Sequence, residues 1–333
     1  MQSMMHSYWM DTTGDTPQIE LRSVSIPEPG PGQLLLRVCA AALNRGEFIV
    51  GHGLTKAGVA KALGIEGAGE VVKVGAGVTR VGPGARVMGR FNGALSDYAL
   101  INEAEVLPLP DGLSWDEGAG IPITYIVAHD MLVTQGRLPA AGWLLVAGIS
   151  SGVGVASFQI AKALGAKVIG TSGSQSKLER LQALGLDVGL CTRSADFYER
   201  VMQATAGVGV DVVVNAVGGS VFAECMRSLA FQGRLATVGY VDGILKAELD
   251  LQALHAKRLV LFGVSNKMLG DAQRAEATAR FATDVMPAIA DGRIRPLVDR
   301  VFSFDELAAA KAHMESNAHL GKIIISVQSA ARA

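Results

Sequence analysis

Apolar positions change rhythm twice along the chain. From about residue 34 to 109, short runs such as "LLLRVCAAAL", "GEVVKVGAGV", "GARVMGRF" and "SDYALINEAEVLPLP" are broken repeatedly by Gly and Pro, the grammar of strands joined by tight turns. "IPEPGPGQ", residues 26–33, is a turn-rich entry to them. This stretch predicts a compact, mostly antiparallel barrel or sandwich. After Trp115 the apolar runs alternate with longer segments of helical period. Residues 144–147, 167–170, 211–214, 235–238 and 259–262 read as strands buried on both faces, with a weaker one around Leu190. Between the first two, Val153, Ser157, Ile160, Ala161 and Leu164 share one helical face, which packs on a sheet. The α/β pattern is that of a doubly wound parallel sheet.

The tail, "IRPLVDRVFSFDELAAAKAHMESNAHLGKIIISV", reads strand, helix, strand, and Ser303 with Glu306 forms a capping-box signal. Assigning it to the β-rich part gives one domain over 1–126 and 264–333, with the sheet domain, 127–263, inserted into it. The cleft between two such domains is the expected site.

A length of 333 residues suits two domains. With 30 basic against 31 acidic side chains the net charge is −1, so no long-range field draws polyanions. Nucleic acid and membrane surfaces are therefore not expected as partners; a small-molecule substrate is. The three cysteines, Cys39, Cys191 and Cys225, sit in or beside apolar segments and read as reduced core thiols. The start shows no basic leader before an apolar block, and no apolar run approaches the ~18 residues of a membrane span. A cytoplasmic protein is expected.

Candidate chemistry begins at "LLVAGISSGVGVASFQIAKALGAKVIGTSGSQSK", residues 144–177. Gly148, Gly152 and Gly154, with Ser150, Ser151 and Val153 among them, join a buried strand to a helix. Peptide N–H groups there attract phosphate, and glycine lets it come close; packing alone also favours glycine at such turns. NAD-preferring turns place Asp or Glu about 20 residues on. Between Val155 and Leu178 there is no acidic residue, and Thr171, Ser172, Ser174 and Lys177 stand there instead. Either this is a solvated serine-rich loop or it is a pocket for a 2′-phosphate, and the absence of a carboxylate favours NADP(H).

These stretches, with "VDVVVNAVGG", "GRLATVGY", "HLGKIIISV", "PEPGPGQLLLRVCAAALNRGEF" and "LGIEGAGEVVKVGAGV", resemble the medium-chain dehydrogenase/reductase superfamily, more narrowly its zinc-independent quinone oxidoreductase branch. The resemblance covers nearly the whole chain in motif order. It implies a GroES-like catalytic domain with an inserted Rossmann domain, NADPH as hydride donor and a homodimer joined through the Rossmann sheets. Zinc-using relatives carry cysteine at the position of Asn44 and Gly-His-Glu where this chain has Gly64, Ile65 and Glu66. An amide and an isoleucine are not zinc ligands, so no metal is expected. The turn departs from the branch at Ser151, which stands for a glycine and either tightens the approach of a pyrophosphate or donates to it. In "IPITYIVAHDML", Val127 and His129 replace the Thr and Tyr of relatives.

The candidate catalytic residues are Asn44, by the same resemblance, and Tyr240, which follows the strand whose end is expected to reach the nicotinamide. Asn44 either donates its amide to a substrate carbonyl or the cofactor or is a turn-forming Asn before Arg45 and Gly46. Tyr240, after Gly239, walls the pocket, and the proton comes from its hydroxyl or from water. Asn215 and Gly218 line the cofactor groove, while Val264, Ser265 and Lys322 stand where relatives meet the nicotinamide half; loop stabilisation is the alternative for each. Residues 50–64, with small side chains and lysines, form an apolar mouth. The implied activity is reduction of a quinone or of the C=C bond of an enone. The alternatives are an enoyl-thioester reductase of the same superfamily and a non-catalytic NADPH-binding protein.

Overall fold

The computed structural model describes residues 3–14, 17–49 and 57–327; residues 50–56, part of the expected substrate mouth, lie outside them. The chain forms two units, Met1–Ile123 with Lys267–Ala333, and Thr124–Asn266. Residues 124–126 and 264–266, assigned by pattern to the β-rich domain, go with the inserted unit. Val264 is held there because its N–H donates to the Thr237 carbonyl (3.1 Å).

The first unit opens with β1 (Met4–Asp11), β2 (Gln18–Ser25), β3 (Gln33–Ala42), β4 (Ala60–Ala62), β5 (Glu66–Val74), β6 (Arg86–Arg90), β7 (Tyr98–Asn102), β8 (Val106–Pro108) and α1 (Trp115–Ala119). Then come α2 (Pro122–His129), β9 (Trp143–Ala147), α3 (Gly152–Ala163), β10 (Lys167–Ser172), α4 (Gln175–Ala183), β11 (Val188–Cys191), α5 (Tyr198–Ala204), β12 (Val210–Asn215), α6 (Phe222–Arg227), β13 (Leu229–Thr237), α7 (Leu251–Lys257) and β14 (Val260–Gly263). The chain closes with α8 (Asp271–Asp284), α9 (Met286–Ala290), β15 (Val298–Ser303), α10 (Leu307–Glu315) and β16 (Lys322–Ser326).

In the first unit a sheet in the order β15-β16-β3-β5-β6-β8, with β7 also on β3, lies beside a small sheet β2-β1-β4. Apart from the parallel β15–β16 pair its ladders are antiparallel. The tail returns to this core for an apolar reason: Leu307, Ala310 and Met314 recur along one face of α10 and are buried with Leu36, Val38, Ile323 and Ile325. The capping box Ser303/Glu306 starts that segment, beginning with a short 3-10 turn.

The second unit is a six-stranded sheet in the order β11-β10-β9-β12-β13-β14, parallel throughout. Strand order reverses between β9 and β12, so a crevice opens at their carboxyl ends. β13 begins at Leu229 rather than at 235. The pattern hides this because the ladder to β12 shifts register after Val210 and Gln232 takes a left-handed conformation (φ 63°). Cys39 and Cys225 are buried, but Cys191 is exposed: it is the last residue of β11, the strand at one edge of the sheet. Among the described residues no helix is long and apolar enough to cross a membrane.

Candidate functional site

The turn after β9 is built from its glycines. A Cβ on Gly154 would stand 2.7 Å from the Gly148 carbonyl oxygen and 2.8 Å from Ile149 Cα, so only glycine lets α3 pack this closely against the strand end. The first-turn N–H groups of Gly152 and Val153 have no acceptor within α3 and point out of its N-terminus, an anion-binding arrangement. Ser151 is the N-cap of α3. Its hydroxyl accepts from Gly154 N (3.1 Å) and donates to the Gly148 carbonyl (2.9 Å). The hydroxyl proton expected to reach a pyrophosphate is therefore spent inside the turn.

At the end of β10, Ser150 Oγ and Ser172 Oγ lie 2.7 Å apart, and Ser172 Oγ also accepts from Ser174 N (3.3 Å). Thr171 Oγ1 accepts from Gly148 N (3.2 Å), so Thr171 braces the turn. Lys177 sits half-buried in the first turn of α4, after the Ser174 N-cap. Arg193 joins this corner without having been expected there. β11 pairs with β10 so that Cys191 faces Ser172, and Thr192 N donates to the Ser172 carbonyl (2.9 Å). This carries Arg193 onto Gly173, where a Cβ would stand 2.5 Å from the guanidinium Nε. Only the strand pairing reveals it. The corner thus gathers hydroxyls and two cations, and the chain between Val155 and Leu178 carries no acidic residue, a donor set that fits the 2′-phosphate of an adenosine ribose.

The loop after β12 is locked by Asn215, a fully buried side chain. Its Oδ1 accepts from Val217 N and Gly218 N (3.0 Å each) and its Nδ2 donates to the Gly218 carbonyl (2.9 Å). Asn215 therefore shapes the crevice from beneath rather than presenting its amide to a ligand. Gly218 has φ 132° and a Cβ there would strike Asp242 Oδ1 at 2.0 Å. Asp242 ties this loop to the one after β13, accepting from Ser220 N (2.8 Å), Ser220 Oγ (2.5 Å) and Ile244 N (2.8 Å). Those bonds outweigh the burial that opposes them and hold its carboxyl below the usual range. Gly239 and Tyr240 lie in the second loop, and Tyr240 is 46% exposed. Val264 is buried and Ser265 exposed just past β14. His129 is buried on α2.

The first unit holds a different constellation. Sheet order β16-β3-β5 brings together Lys322 at the start of β16, Asn44 just past β3 and Glu66 at the start of β5. The Lys322 ammonium donates to Glu66 Oε1 (2.8 Å), Asn44 Oδ1 (3.0 Å) and the Leu43 carbonyl (3.1 Å). Asn44 Nδ2 donates to Glu66 Oε1 (2.9 Å) and Glu47 Oε1 (3.1 Å), with a longer contact to the Ala42 carbonyl (3.4 Å). Glu66 Oε2 accepts from Ile123 N (2.7 Å) and Glu47 Oε2 from Gly64 N (3.0 Å). Glu47, Glu66 and Lys322 are 1%, 0% and 4% exposed. Burial pushes the Glu47 carboxyl up to about 7; the Asn44 hydrogen bond opposes this, the Glu66 charge adds to it, and Lys322 and Lys61 oppose it. Lys61, half-buried on β4, is lowered by burial, against the Glu47 charge.

Two expectations change here. Lys322 spends all three protons within this cluster, so none remains for a nicotinamide. Asn44 has both amide hydrogens on carboxylates. The cluster also does not fit a zinc ion: an ammonium is bonded to the side chains at 44 and 66, Ile65 offers no donor, and a dication there would face that buried positive charge. Among the described residues no group of three or more His, Cys, Asp or Glu is arranged to hold a metal.

Comparison with known proteins gives these features a family. An alcohol dehydrogenase GroES-like domain model matches residues 30–111, and a zinc-binding dehydrogenase model matches 152–283. A phenolphthiocerol/phthiocerol polyketide synthase of Mycobacterium tuberculosis is 31% identical over 320 residues, 96% of this chain. The Pikromycin polyketide synthase component PikAII of Streptomyces venezuelae is 31% identical over 91% of this chain. The chain spans only 14% and 8% of the lengths of these two relatives. Among solved structures, CurK enoyl reductase superposes with a TM-score of 0.85 at 25% identity, covering 98% of this chain and 100% of that one. Mycobacterial Rv1454c complexed with NADPH gives 0.84 at 26%, with 98% and 100% covered. The chain belongs to the medium-chain dehydrogenase/reductase superfamily of oxidoreductases.

Proposed function

We propose that the chain is an NADPH-dependent reductase of the C=C bond of α,β-unsaturated carbonyl compounds, with enoyl thioesters as its substrate class. The observation that carries the cofactor reading is the end of β10, where no acidic residue stands between Val155 and Leu178, Arg193 packs on Gly173 and Lys177 stands in the first turn of α4. The substrate class leans on the relatives, an enoyl reductase structure and polyketide synthases, which favour a thioester over the quinone implied by the narrower family resemblance.

The chemistry a bound NADPH brings is hydride donation to the β-carbon of the conjugated system. The chain's own residues do the rest. Gly152 and Val153 N–H groups would hold the pyrophosphate, and Ser172, Lys177 and Arg193 the 2′-phosphate. Asn215 and Gly218 shape the crevice, and Val264 and Ser265 would stand at the nicotinamide half. Tyr240 walls the pocket, and its hydroxyl delivers the proton that completes reduction of the enolate. Asn44 keeps the floor of the first unit's site in one orientation. The unit of action is a cytoplasmic homodimer: among the described residues β14 pairs only with β13, which leaves its other edge open to a second copy.

The test is to mix the purified chain with NADPH and either crotonyl thioester or a quinone. The expected result is NADPH consumption with formation of the saturated thioester, faster than quinone reduction; Tyr240→Phe should slow it. NADPH affinity without turnover on any acceptor would leave a binding protein instead.

A further inference from the structure

The buried Lys322 ammonium has three protons and three acceptors. One acceptor is Asn44 Oδ1 (3.0 Å). The opposite end of the same amide, Nδ2, faces two carboxylate oxygens, Glu66 Oε1 (2.9 Å) and Glu47 Oε1 (3.1 Å). An asparagine amide fits its site in two orientations related by a flip, and the hydrogen-bond partners decide between them. Here the flipped amide would set its N–H groups against an ammonium and its oxygen against two carboxylates. The two carboxylates favour this orientation from the Nδ2 side, and the ammonium favours it from the Oδ1 side, where it is the donor.

We propose that Lys322 is a positioning residue of the first unit's site, the internal cation that fixes the Asn44 amide in one orientation. Lys322 touches neither substrate nor cofactor; it acts through Asn44. The proposal deepens the reductase reading and rests on it for its kinetic readout.

Lys322→Met removes the cation and leaves Glu66 buried without its partner, which destabilises the fold. The companion variant, Glu66→Gln with Lys322→Met, removes both charges. In it no buried charge of the pair is left without its partner, and the new amide at position 66 can either accept from Asn44 Nδ2 or donate to a reversed Oδ1, so that only Glu47 still favours the original Asn44 orientation. The expected result is a double variant whose melting temperature returns toward wild type while kcat on crotonyl thioester stays about tenfold or more below it, with the KM for NADPH within about twofold. Recovery of kcat together with melting temperature would overturn the proposal, because a merely structural pair is then all that was lost. A rise in the KM for NADPH that exceeds the fall in kcat would also overturn it, in favour of direct cofactor contact.

A second readout needs no substrate. The Asn44 side-chain NH2 resonances, identified by their loss in Asn44→Asp, should shift in the double variant relative to wild type. Unchanged resonances sink the positioning role whatever the enzyme reduces, and shifted resonances in a protein that turns over nothing leave it standing while removing the reductase reading.

Discussion

Ser150 Oγ and Ser172 Oγ meet at 2.7 Å across the ends of β9 and β10, in the place where an acidic residue would bind a ribose 2′-hydroxyl. The pair links the phosphate turn to the corner that Lys177 and Arg193 make positive. A carboxylate at 172 would face those cations in the free protein and the 2′-phosphate in the complex.

Ser172→Asp should therefore weaken NADPH binding by about 10–100-fold, the size of one lost charge-assisted hydrogen bond, and weaken NADH binding less. Titration with both cofactors checks it. Unchanged discrimination removes the 2′-phosphate assignment.

Lys177→Ala and Arg193→Ala should each raise the KM for NADPH by about tenfold, one charge-assisted bond apiece, and leave kcat and the KM for NADH nearly unchanged. Steady-state kinetics with the two cofactors separates them. A fall in kcat alone from Arg193→Ala would return that residue to a packing role on Gly173.

Ser151 serves the helix, so Ser151→Ala should lower stability by about 1 kcal/mol and Ser151→Gly by only a few tenths. Denaturant unfolding measures both. Weaker NADPH binding without loss of stability would mean that the hydroxyl reaches the pyrophosphate after all.

Glu47 makes stability depend on pH. Its carboxyl titrates from 4.5 in the unfolded chain and from about 7 in the folded one. Below the lower value both states hold the proton. Between the two the unfolded chain releases it first, so stability falls as pH rises and levels off above the upper value, a loss of about 3 kcal/mol. The groups facing Glu47 are Asn44 on its own turn, Glu66 on β5, Lys322 on β16 and Lys61 on β4. Glu47→Gln should flatten this slope, and melting temperatures across the interval read it directly. A wild-type protein that gains stability over the same interval, relative to Glu47→Gln, contradicts the buried state of that carboxyl.

The parallel sheet was legible because strands buried on both faces are plain apolar runs, and the phosphate turn because glycine and the strand-to-helix switch are local signals. What escaped depends on pairing between distant segments. Arg193 reaches Gly173 only through the β10–β11 register, and Lys322 meets Asn44 across 278 residues of chain, through the adjacency of β16 and β3. The resemblance supplied Lys322 as a residue at the nicotinamide half, whereas the register of three strands turns its ammonium onto Asn44 and Glu66. Ser151 was misjudged for a related reason. A serine at a turn reads equally as a ligand donor or as an N-cap, and only the position of Gly154 N decides.

Following crotonyl thioester reduction with NADPH and with NADH side by side tests the cofactor and substrate assignment most directly. The predicted result is a saturated thioester formed with NADPH at a kcat/KM about tenfold or more above that with NADH, by loss of at least one charge-assisted contact. Equal efficiency with the two cofactors, or tight NADPH binding with no product, contradicts it.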